Sequence, residues 1–257
     1  AKVRVTVRDW RKAVWISRTS AELVEADVTD TDSIAEAVRG CDVVFHCASG
    51  PSQPGGYMRT NREGTRNVID ACVAAGVKRL VYVSTVAVHA ARPGLRLSSK
   101  TPLVTTGRDY SDSKIVAEGL VNKAQSAGRL ATVVVRPTYV WGPRSHVFTI
   151  RQLRELKAGV FRYVDGGDTV ANAVHVDNLV DALRAAGIRD EAVGRSFLIT
   201  DGSDYRWRDL FGGYARYLGI ERNLPSVSSA RMSSRVGARL LASSELVLSK
   251  MLGPRPL

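Results

Sequence analysis

The sequence predicts an α/β fold built on a doubly wound parallel sheet. Short apolar runs alternate with segments of helical period, and each apolar run ends at small or polar residues that begin a loop. Strands separated by helices pair in parallel through right-handed crossovers, which places helices on both faces of the sheet. The 257 residues are 44% hydrophobic and 24% charged, a globular composition that excludes disorder as the main state.

The first half of the chain contains five candidate strands and three candidate helices. The strands are expected near residues 2–7, 22–26, 42–48, 79–84 and 131–136. The helices are expected near residues 32–39, 58–75 and 110–127. Asp30 or Thr31 can cap the first helix, and Gly40 and Gly76 follow the first two helices, where glycine ends a helix at little steric cost.

After Pro143 the alternation of apolar runs with helical segments becomes less regular, which predicts a smaller lobe that binds substrate. Its elements are expected at 149–158 (helix), 173–186 (strand and helix), 196–200 (strand) and 207–218 (helix). The predicted first domain therefore covers 1–143, with 173–190 returning to it, and the lobe covers most of 144–257. Residues 230–257 combine basic side chains with leucines at helical spacing, which indicates a helix packed on the lobe or, alternatively, a basic amphipathic helix on a membrane surface.

The net charge and the cysteine and histidine patterns indicate which ligands and covalent links the protein has. The net charge of +12 is spread along the chain without a nucleic-acid-binding motif, so we expect an anionic small molecule rather than a nucleic acid. The three cysteines show no CxxC spacing and the four histidines no HxxxH pattern, so we expect neither a disulfide framework nor a metal. We find no membrane-spanning run and no signal peptide, and expect a cytoplasmic protein.

The segment from Tyr110 to Lys114 carries the strongest chemical signal. On a helix, residues four apart share a face, so the Lys114 ammonium is expected to lower the pKa of the Tyr110 phenol from its usual value near 10. Ser84 and Thr85 end an apolar run that reads as a buried parallel strand. Open α/β sheets bind ligands at this carboxyl edge, so a hydroxyl and the phenol can meet over one substrate oxygen.

The chain resembles the extended short-chain dehydrogenase/reductase family, also called the NAD-dependent epimerase/dehydratase family. The resemblance covers about residues 3–218 and rests on matches in family order: VEADVTD at 24–30, VVFHCA at 43–48, NREGT at 61–65, ST at 84–85, YSDSK at 110–114, RPTYVWGP at 136–143 and VHVDNL at 174–179. It implies a Rossmann-like fold. The RPTYVWGP segment is most similar to the branch of hydroxysteroid dehydrogenases and dihydroflavonol reductases.

The resemblance implies four catalytic positions. Thr85 would hydrogen-bond the substrate oxygen, Tyr110 would exchange its proton, and Lys114 would tune the phenol and bind the nicotinamide ribose. Asn61 matches a helix asparagine that supports the site, with a structural role as the alternative.

The resemblance also implies a set of cofactor-binding positions. Asp27 would accept from the adenine amino group, with Val28 beside it, or would serve as a simple cap or turn residue. The other positions are the loop after the third strand (Cys47, Ala48, Ser49), Ser84, and the segment near the nicotinamide carboxamide (Pro137, Thr138, Val140). An arginine at position 8 suits a ribose 2′-phosphate, so NADP(H) is favoured over NAD(H).

The family's opening strand and GxxGxxG turn are missing from the sequence. That turn supplies the amides and helix N-terminus that hold the pyrophosphate. We therefore expect further residues before Ala1 or within the first dozen, and an intact mass well above that of 257 residues.

The functional prediction is an NAD(P)-dependent oxidoreductase that interconverts an alcohol and a ketone on a small or apolar (steroid- or flavonoid-like) substrate. We expect a homodimer formed through the Tyr110 helix. The lobe aromatics Phe161, Tyr163, Tyr205 and Trp207 are candidates for contact with that substrate. A nucleotide-sugar epimerase or dehydratase is the alternative enzyme, and a catalytically silent sensor or scaffold is the alternative without catalysis.

Overall fold

Short parallel strands alternate with helices in the computed structural model, which describes residues 1–50, 55–90, 96–220 and 223–232. In the N-terminal half the strands are β1 (Arg4–Val7), β2 (Glu22–Glu25), β3 (Val43–His46), β4 (Arg79–Val83) and β5 (Thr132–Pro137). The helices are α1 (Thr31–Val38), α2 (Gly56–Met58), α3 (Thr65–Ala74) and α4 (Asp109–Ser126). A π-helical segment, Arg59–Gly64, joins α2 to α3.

The C-terminal half contains shorter elements. Its strands are β6 (Tyr139–Trp141), β7 (Tyr163–Val164), β8 (Ala173–His175), β9 (Ser196–Ile199) and β10 (Ser226–Val227). Its helices are α5 (Arg151–Lys157), α6 (Val176–Ile188), α7 (Trp207–Tyr217) and α8 (Ser229–Met232), with a second π-helical segment at His146–Ile150. Most of the basic C-terminal segment expected at 230–257 lies outside the described residues, which end at 232.

Every strand pairing between these elements is parallel. The main sheet has the order β3-β4-β5-β9, and β1 pairs with β2 in a separate sheet. Within the described residues, β1 pairs with β2 alone and β3 with β4 alone, so each has one edge without a strand.

Helices cover both faces of the main sheet, which confirms the predicted doubly wound α/β class. Val44 of β3 packs into a core shared by α1, α3 and α4, together with the buried Leu80 and Tyr82 of β4. The next residue, Phe45, points to the opposite face because side chains alternate along a strand. There it lies under Gly187 of α6, so closely that a Cβ on Gly187 would come within 2.8 Å of the Phe45 ring.

The chain divides into two compact units. The first comprises Ala1–Thr138 and Leu179–Ile199, and the second comprises Tyr139–Asn178 and Thr200–Leu257. The division differs from the expected one. Residues 139–143 and 173–178, expected in the first domain, belong to the second unit, and β9, expected in the lobe, pairs with β5 and belongs to the first unit. In the second unit Phe161 is 4% exposed and forms the core with Leu156 and Ala215.

Among the helices in the described part of the chain, none is both long enough and apolar enough to cross a membrane.

Candidate active site

The carboxyl end of β4 carries Ser84 and Thr85. The Ser84 N–H donates to the Val135 carbonyl at 2.7 Å, so the sheet ladder continues one residue past the strand. Its side chain is buried, and the Ser84 Oγ has no hydrogen-bond partner among the described residues. Thr85 caps a 3-10 turn, Val86–His89, where its Oγ1 accepts from the Ala87 N–H at 3.2 Å. A buried hydroxyl without a partner at this edge can be satisfied by a polar ligand.

Tyr110 lies in the first turn of α4 and interacts with Thr85. The Tyr110 phenol lies near enough to the Thr85 hydroxyl for Thr85 to lower its pKa by hydrogen bonding. The Tyr110 ring packs edge to face against Tyr57 with centroids 5.3 Å apart. The residue is 36% exposed, so a substrate can reach it from solvent. The hydroxyl and the phenol predicted to act together are therefore neighbours.

The expected depression of the Tyr110 pKa is not found. Burial raises the pKa above 10, the hydrogen bond from Thr85 opposes that rise, and Tyr57 adds to it. The Lys114 ammonium instead donates to the Val83 carbonyl at 3.0 Å. The prediction considered only the helical spacing of the pair, whereas desolvation of the phenol dominates in this structure.

Lys114 is a desolvated cation. It is 3% exposed, and its ammonium lies 5.1 Å from the centroid of the Tyr82 ring. Burial lowers its pKa from 10.5 to about 8, against an opposing effect of Cys47. Burial, followed by the Lys114 charge, lowers the pKa of His46 to about 3. An anionic or hydroxyl-bearing ligand would stabilise the charged form of this lysine.

Asn61 connects two segments of the site. It is 1% exposed and lies inside the π-helical segment. Its Nδ2 donates to the Ser113 Oγ at 2.9 Å, and its Oδ1 accepts from the Gly50 N–H at 3.3 Å. Ser113 in turn donates to the Tyr110 carbonyl at 2.8 Å. Asn61 thereby links the loop after β3 to the first turn of α4.

The loop after β3 places small residues near Lys114. Cys47 and Ser49 are exposed and Ala48 is half-buried. Although Cys47 is exposed as a residue, burial around its sulfur raises the thiol pKa, and the Lys114 ammonium partly offsets this rise. The Cys47 side chain and the buried lysine are thus close enough to interact.

Arg8 and Asp27 lie together at the ends of β1 and β2. The Arg8 guanidinium is 3.8 Å from the Asp27 carboxylate, with the arginine side chain 59% exposed. Asp27 Oδ1 accepts from both the backbone and the hydroxyl of Thr29 at 2.9 Å, which matches the alternative role of Asp27 as a turn residue. Val28 packs against Gly64, where an added Cβ would lie 2.5 Å from the valine Cγ2.

The segment after β5 crosses from one unit to the other. Pro137 ends β5, and Thr138 donates from both its N–H and its Oγ1 to the Ile199 carbonyl, at 3.0 and 3.1 Å. Val140 belongs to β6 in the second unit, where it pairs with Val174. The first two residues thus lie at the carboxyl edge of the main sheet.

The second unit contains the aromatic side chains named in the sequence analysis and a half-buried carboxylate, Asp201, that the sequence analysis missed. Trp207 stacks on Phe211 at 5.3 Å, and Tyr163 packs edge to face on Phe161, which is core rather than substrate surface. Asp201 accepts hydrogen bonds from several donors around it: the Trp141 indole, the Tyr205 hydroxyl, the Asn178 amide and the His175 N–H. Burial raises the pKa of Asp201, but the hydrogen bonds from these donors together lower it by more. The pKa of Asp201 therefore lies below its usual value.

The family model of the 3-beta hydroxysteroid dehydrogenase/isomerase family matches residues 2–227 of the 257, far more than half of the chain. The chain belongs to that family. It is therefore a member of the extended short-chain dehydrogenase/reductases, as the resemblance implied.

Several relatives within this superfamily carry names that describe ketone reduction. The chain is 30% identical over 245 residues to a 4-hydroxy-2-methyl-3-oxo-4-farnesyl-3,4-dihydroquinoline-1-oxide ketoreductase of Stigmatella aurantiaca, covering 93% of this chain and 73% of that protein. It is 31% identical to a 2-alkyl-3-oxoalkanoate reductase of Stenotrophomonas maltophilia, covering 84% and 68% respectively. It spans 39% to 57% of the length of three other curated relatives that it matches. Membership of this family supports nicotinamide-dependent oxidoreductase chemistry.

A solved relative supports the fold. A dTDP-glucose 4,6-dehydratase from Streptomyces venezuelae, crystallised with NAD, matches with a TM-score of 0.75 and 20% identity, covering 100% of this chain and 83% of that one. At this identity the likeness shows the fold alone.

Sequence reasoning missed the residues that support the catalytic pair. Ser113 lies three residues after Tyr110 and Glu118 four residues after Lys114, so both share the buried face of α4. Ser113 lies inside the YSDSK motif and Glu118 one turn after it, and these positions were the available signal. Their partners lie far away in the sequence and could not be read from spacing.

Proposed function

We propose that the protein is an NAD(P)-dependent oxidoreductase that interconverts an alcohol and a ketone on an apolar substrate, with Tyr110 as the acid/base. The observation that carries the proposal is the proximity of the Tyr110 phenol to the Thr85 hydroxyl, together with the buried cation of Lys114 one turn later on α4. The named ketoreductase relatives support an apolar ketone such as a 2-alkyl-3-oxoalkanoate.

The residues present fit a nicotinamide dinucleotide. The buried Ser84 hydroxyl lacks a partner in the described structure, and the desolvated Lys114 ammonium gains from a polar ligand. Tyr110 and Lys114 would hold the nicotinamide ribose, Cys47, Ala48 and Ser49 would line the phosphates, and Pro137, Thr138 and Val140 would meet the carboxamide. Asp27 and Val28 would contact the adenine. When bound, the nicotinamide supplies or accepts the hydride.

In the reductive direction, the protein's own part is to hold and move one proton. Thr85 would hydrogen-bond the substrate oxygen and orient it toward the phenol. Tyr110 would then donate its proton to that oxygen, which its raised pKa allows it to retain up to alkaline pH. The Lys114 charge would stabilise the phenolate left behind. Oxidation reverses these roles.

We also propose NADP(H) as the preferred cofactor. Arg8 presents an exposed guanidinium at the end of β1, and a planar bidentate donor suits a 2′-phosphate. Asp27 lies near enough to orient it.

The test is titration of the full-length protein with NADPH and NADH, followed by an assay with NADPH and a 2-alkyl-3-oxoalkanoate. We expect NADPH to bind more tightly and Tyr110→Phe to abolish turnover while still binding NADPH. Tyr57→Phe is the matched control, because that ring packs on Tyr110 without being assigned proton transfer. Binding without turnover in the unmodified protein would favour a nucleotide sensor, and binding of neither cofactor would overturn the proposal.

A further inference from the structure

Three ionisable side chains of the first unit form a buried cluster that the proposed chemistry does not use. Arg136, Glu118 and His89 are 4%, 0% and 2% exposed. The Arg136 Nε lies 3.1 and 3.2 Å from the two carboxylate oxygens of Glu118, and its Nη2 also contacts Oε1. Its Nη1 donates to the Ser99 carbonyl at 3.1 Å and lies 3.4 Å from the His89 Nε2. One guanidinium is thereby held by three separate segments.

The two contacts of His89 assign donor and acceptor roles to its ring nitrogens. Its Nδ1 lies 3.1 Å from the carbonyl oxygen of Pro102, which can only accept, so Nδ1 carries the proton. The Nε2 of the neutral ring is then an acceptor and receives the Arg136 Nη1–H. The His89 ring therefore links the Arg136 guanidinium to the Pro102 carbonyl through two directional hydrogen bonds.

Two of the segments that Arg136 contacts carry the proposed catalytic residues, and Arg136 itself lies beside residues proposed to bind the cofactor. His89 ends the 3-10 turn that Thr85 begins. Glu118 lies one helical turn after Lys114 and two after Tyr110. Arg136 itself precedes Pro137 and Thr138 at the carboxyl edge of β5. No other side chain that we describe joins these three segments through its own hydrogen bonds.

We propose that Arg136 is a positioning residue for the reaction, fixing Thr85, Tyr110 and Lys114 relative to one another through Glu118 and His89. The inference rests on the proposed function. A buried ion pair adds little stability over well-packed apolar residues of similar volume, so stability alone is a poor reason for this arrangement. Its contacts are directional, however, and a misplacement of about 1 Å at an active site can reduce the rate by about 100-fold.

The decisive variant replaces the pair with apolar residues, Arg136→Met with Glu118→Leu, which avoids leaving one charge buried alone. Assayed with NADPH and a 2-alkyl-3-oxoalkanoate, the folded full-length variant should lose at least about tenfold in kcat, with KM changed less than about twofold. Arg136→Lys keeps the charge but loses the forked geometry, so it should recover part of the kcat.

Arg79→Met is the matched control. Arg79 is also a buried guanidinium on the main sheet, but it donates to the carbonyls of Ala186 and Arg189 and pairs with Asp190. It should lower the melting temperature without a selective loss of kcat. An unchanged kcat in the folded double variant, or an equal loss in Arg79→Met at matched stability, would overturn the proposal. If the double variant does not fold, an unchanged kcat in Arg136→Lys would overturn the proposal instead.

Hydrogen–deuterium exchange separates this inference from the proposed function. In the double variant, exchange should accelerate in both 85–90 and 109–118, while Arg79→Met should leave these segments unchanged. Unaltered exchange in both would contradict the positioning role. An unmodified protein that reduces no ketone would defeat the proposed function, and the exchange comparison would still decide whether Arg136 holds the two segments together.

Discussion

The side-chain amide of Asn61 donates to the hydroxyl of Ser113 at 2.9 Å, and Ser113 donates in turn to the Tyr110 carbonyl. Both residues are almost fully buried. If one side chain is removed, water cannot easily take its place as the hydrogen-bond partner of the other. This relationship connects the π-helical segment to the first turn of α4.

Removing the Ser113 hydroxyl should destabilise the protein. Ser113→Ala leaves the buried Asn61 amide without its acceptor, which costs about 1–3 kcal/mol. Ser126→Ala, at the exposed end of the same helix, is the control. Denaturant unfolding of both variants measures the difference, and equal free energies of unfolding would contradict the importance of this contact.

Removing the Lys114 charge should stabilise the protein at pH 7 while abolishing turnover. The pKa is about 8 in the folded protein and 10.5 in the unfolded chain, and at about 1.4 kcal/mol for each pH unit the difference is up to roughly 3–4 kcal/mol. The unfolded lysine binds its proton more tightly, so the unmodified protein should gain stability as pH rises from 8 to 10.5. Lys114→Met should lack this gain. A Lys114→Met variant less stable at pH 7 would refute the expectation.

Acid should destabilise the protein through His46. Its pKa is about 3 in the folded protein against 6.5 in the unfolded chain, so the unfolded chain takes up the proton first as pH falls below 6.5. The free energy of unfolding should decrease by up to about 1.4 kcal/mol per pH unit from this residue. His46→Gln should flatten the profile between about pH 6.5 and 4, whereas His146→Gln at an exposed site should not. Parallel profiles for all three proteins would exclude the effect.

The Arg8 guanidinium should discriminate between the two dinucleotides. A hydrogen bond to a charged group contributes about 1.5–3 kcal/mol, so Arg8→Ala should weaken NADPH binding about 10- to 100-fold and leave NADH nearly unchanged. Arg11→Ala, at an exposed residue that pairs with Asp9, is the control. Nicotinamide fluorescence measures both affinities. Equal weakening of NADPH and NADH would mean that Arg8 does not read the 2′-phosphate.

The helical elements were predictable because their signals are local. The helix expected at 110–127 is found as Asp109–Ser126, and Asp30 caps α1 by accepting from the N–H groups of Asp32 and Ser33. The assignment of 196–200 to the lobe was wrong because an extended run does not say which strand it will join, and β9 joins β5. Pairing of that kind is set by contacts between distant residues.

The site was predictable to a similar depth. Thr85 was expected near Tyr110 because it ends a strand at the carboxyl edge of the sheet, and the phenol lies near its hydroxyl. Lys114 lies one turn after Tyr110 on α4, as their spacing predicted. The direction of the Tyr110 pKa was wrong because it depends on desolvation, which spacing does not reveal. The role of Arg136 was missed because its partners, Glu118 and His89, come from other parts of the chain.

The π-helical segment Arg59–Gly64, which joins α2 to α3, makes the structure sensitive to the number of residues in that segment. A π turn holds one residue more than an α turn, so deleting a single residue there would allow a regular α-helix to form. Each residue of an α-helix turns the chain by about 100°, so the deletion would change the helical phase between Asn61 and α3. Asn61 would then face Ser113, or Gly64 would face Val28, but not both. Insertions and deletions between Asn61 and Gly64 should therefore be tolerated far less than substitutions.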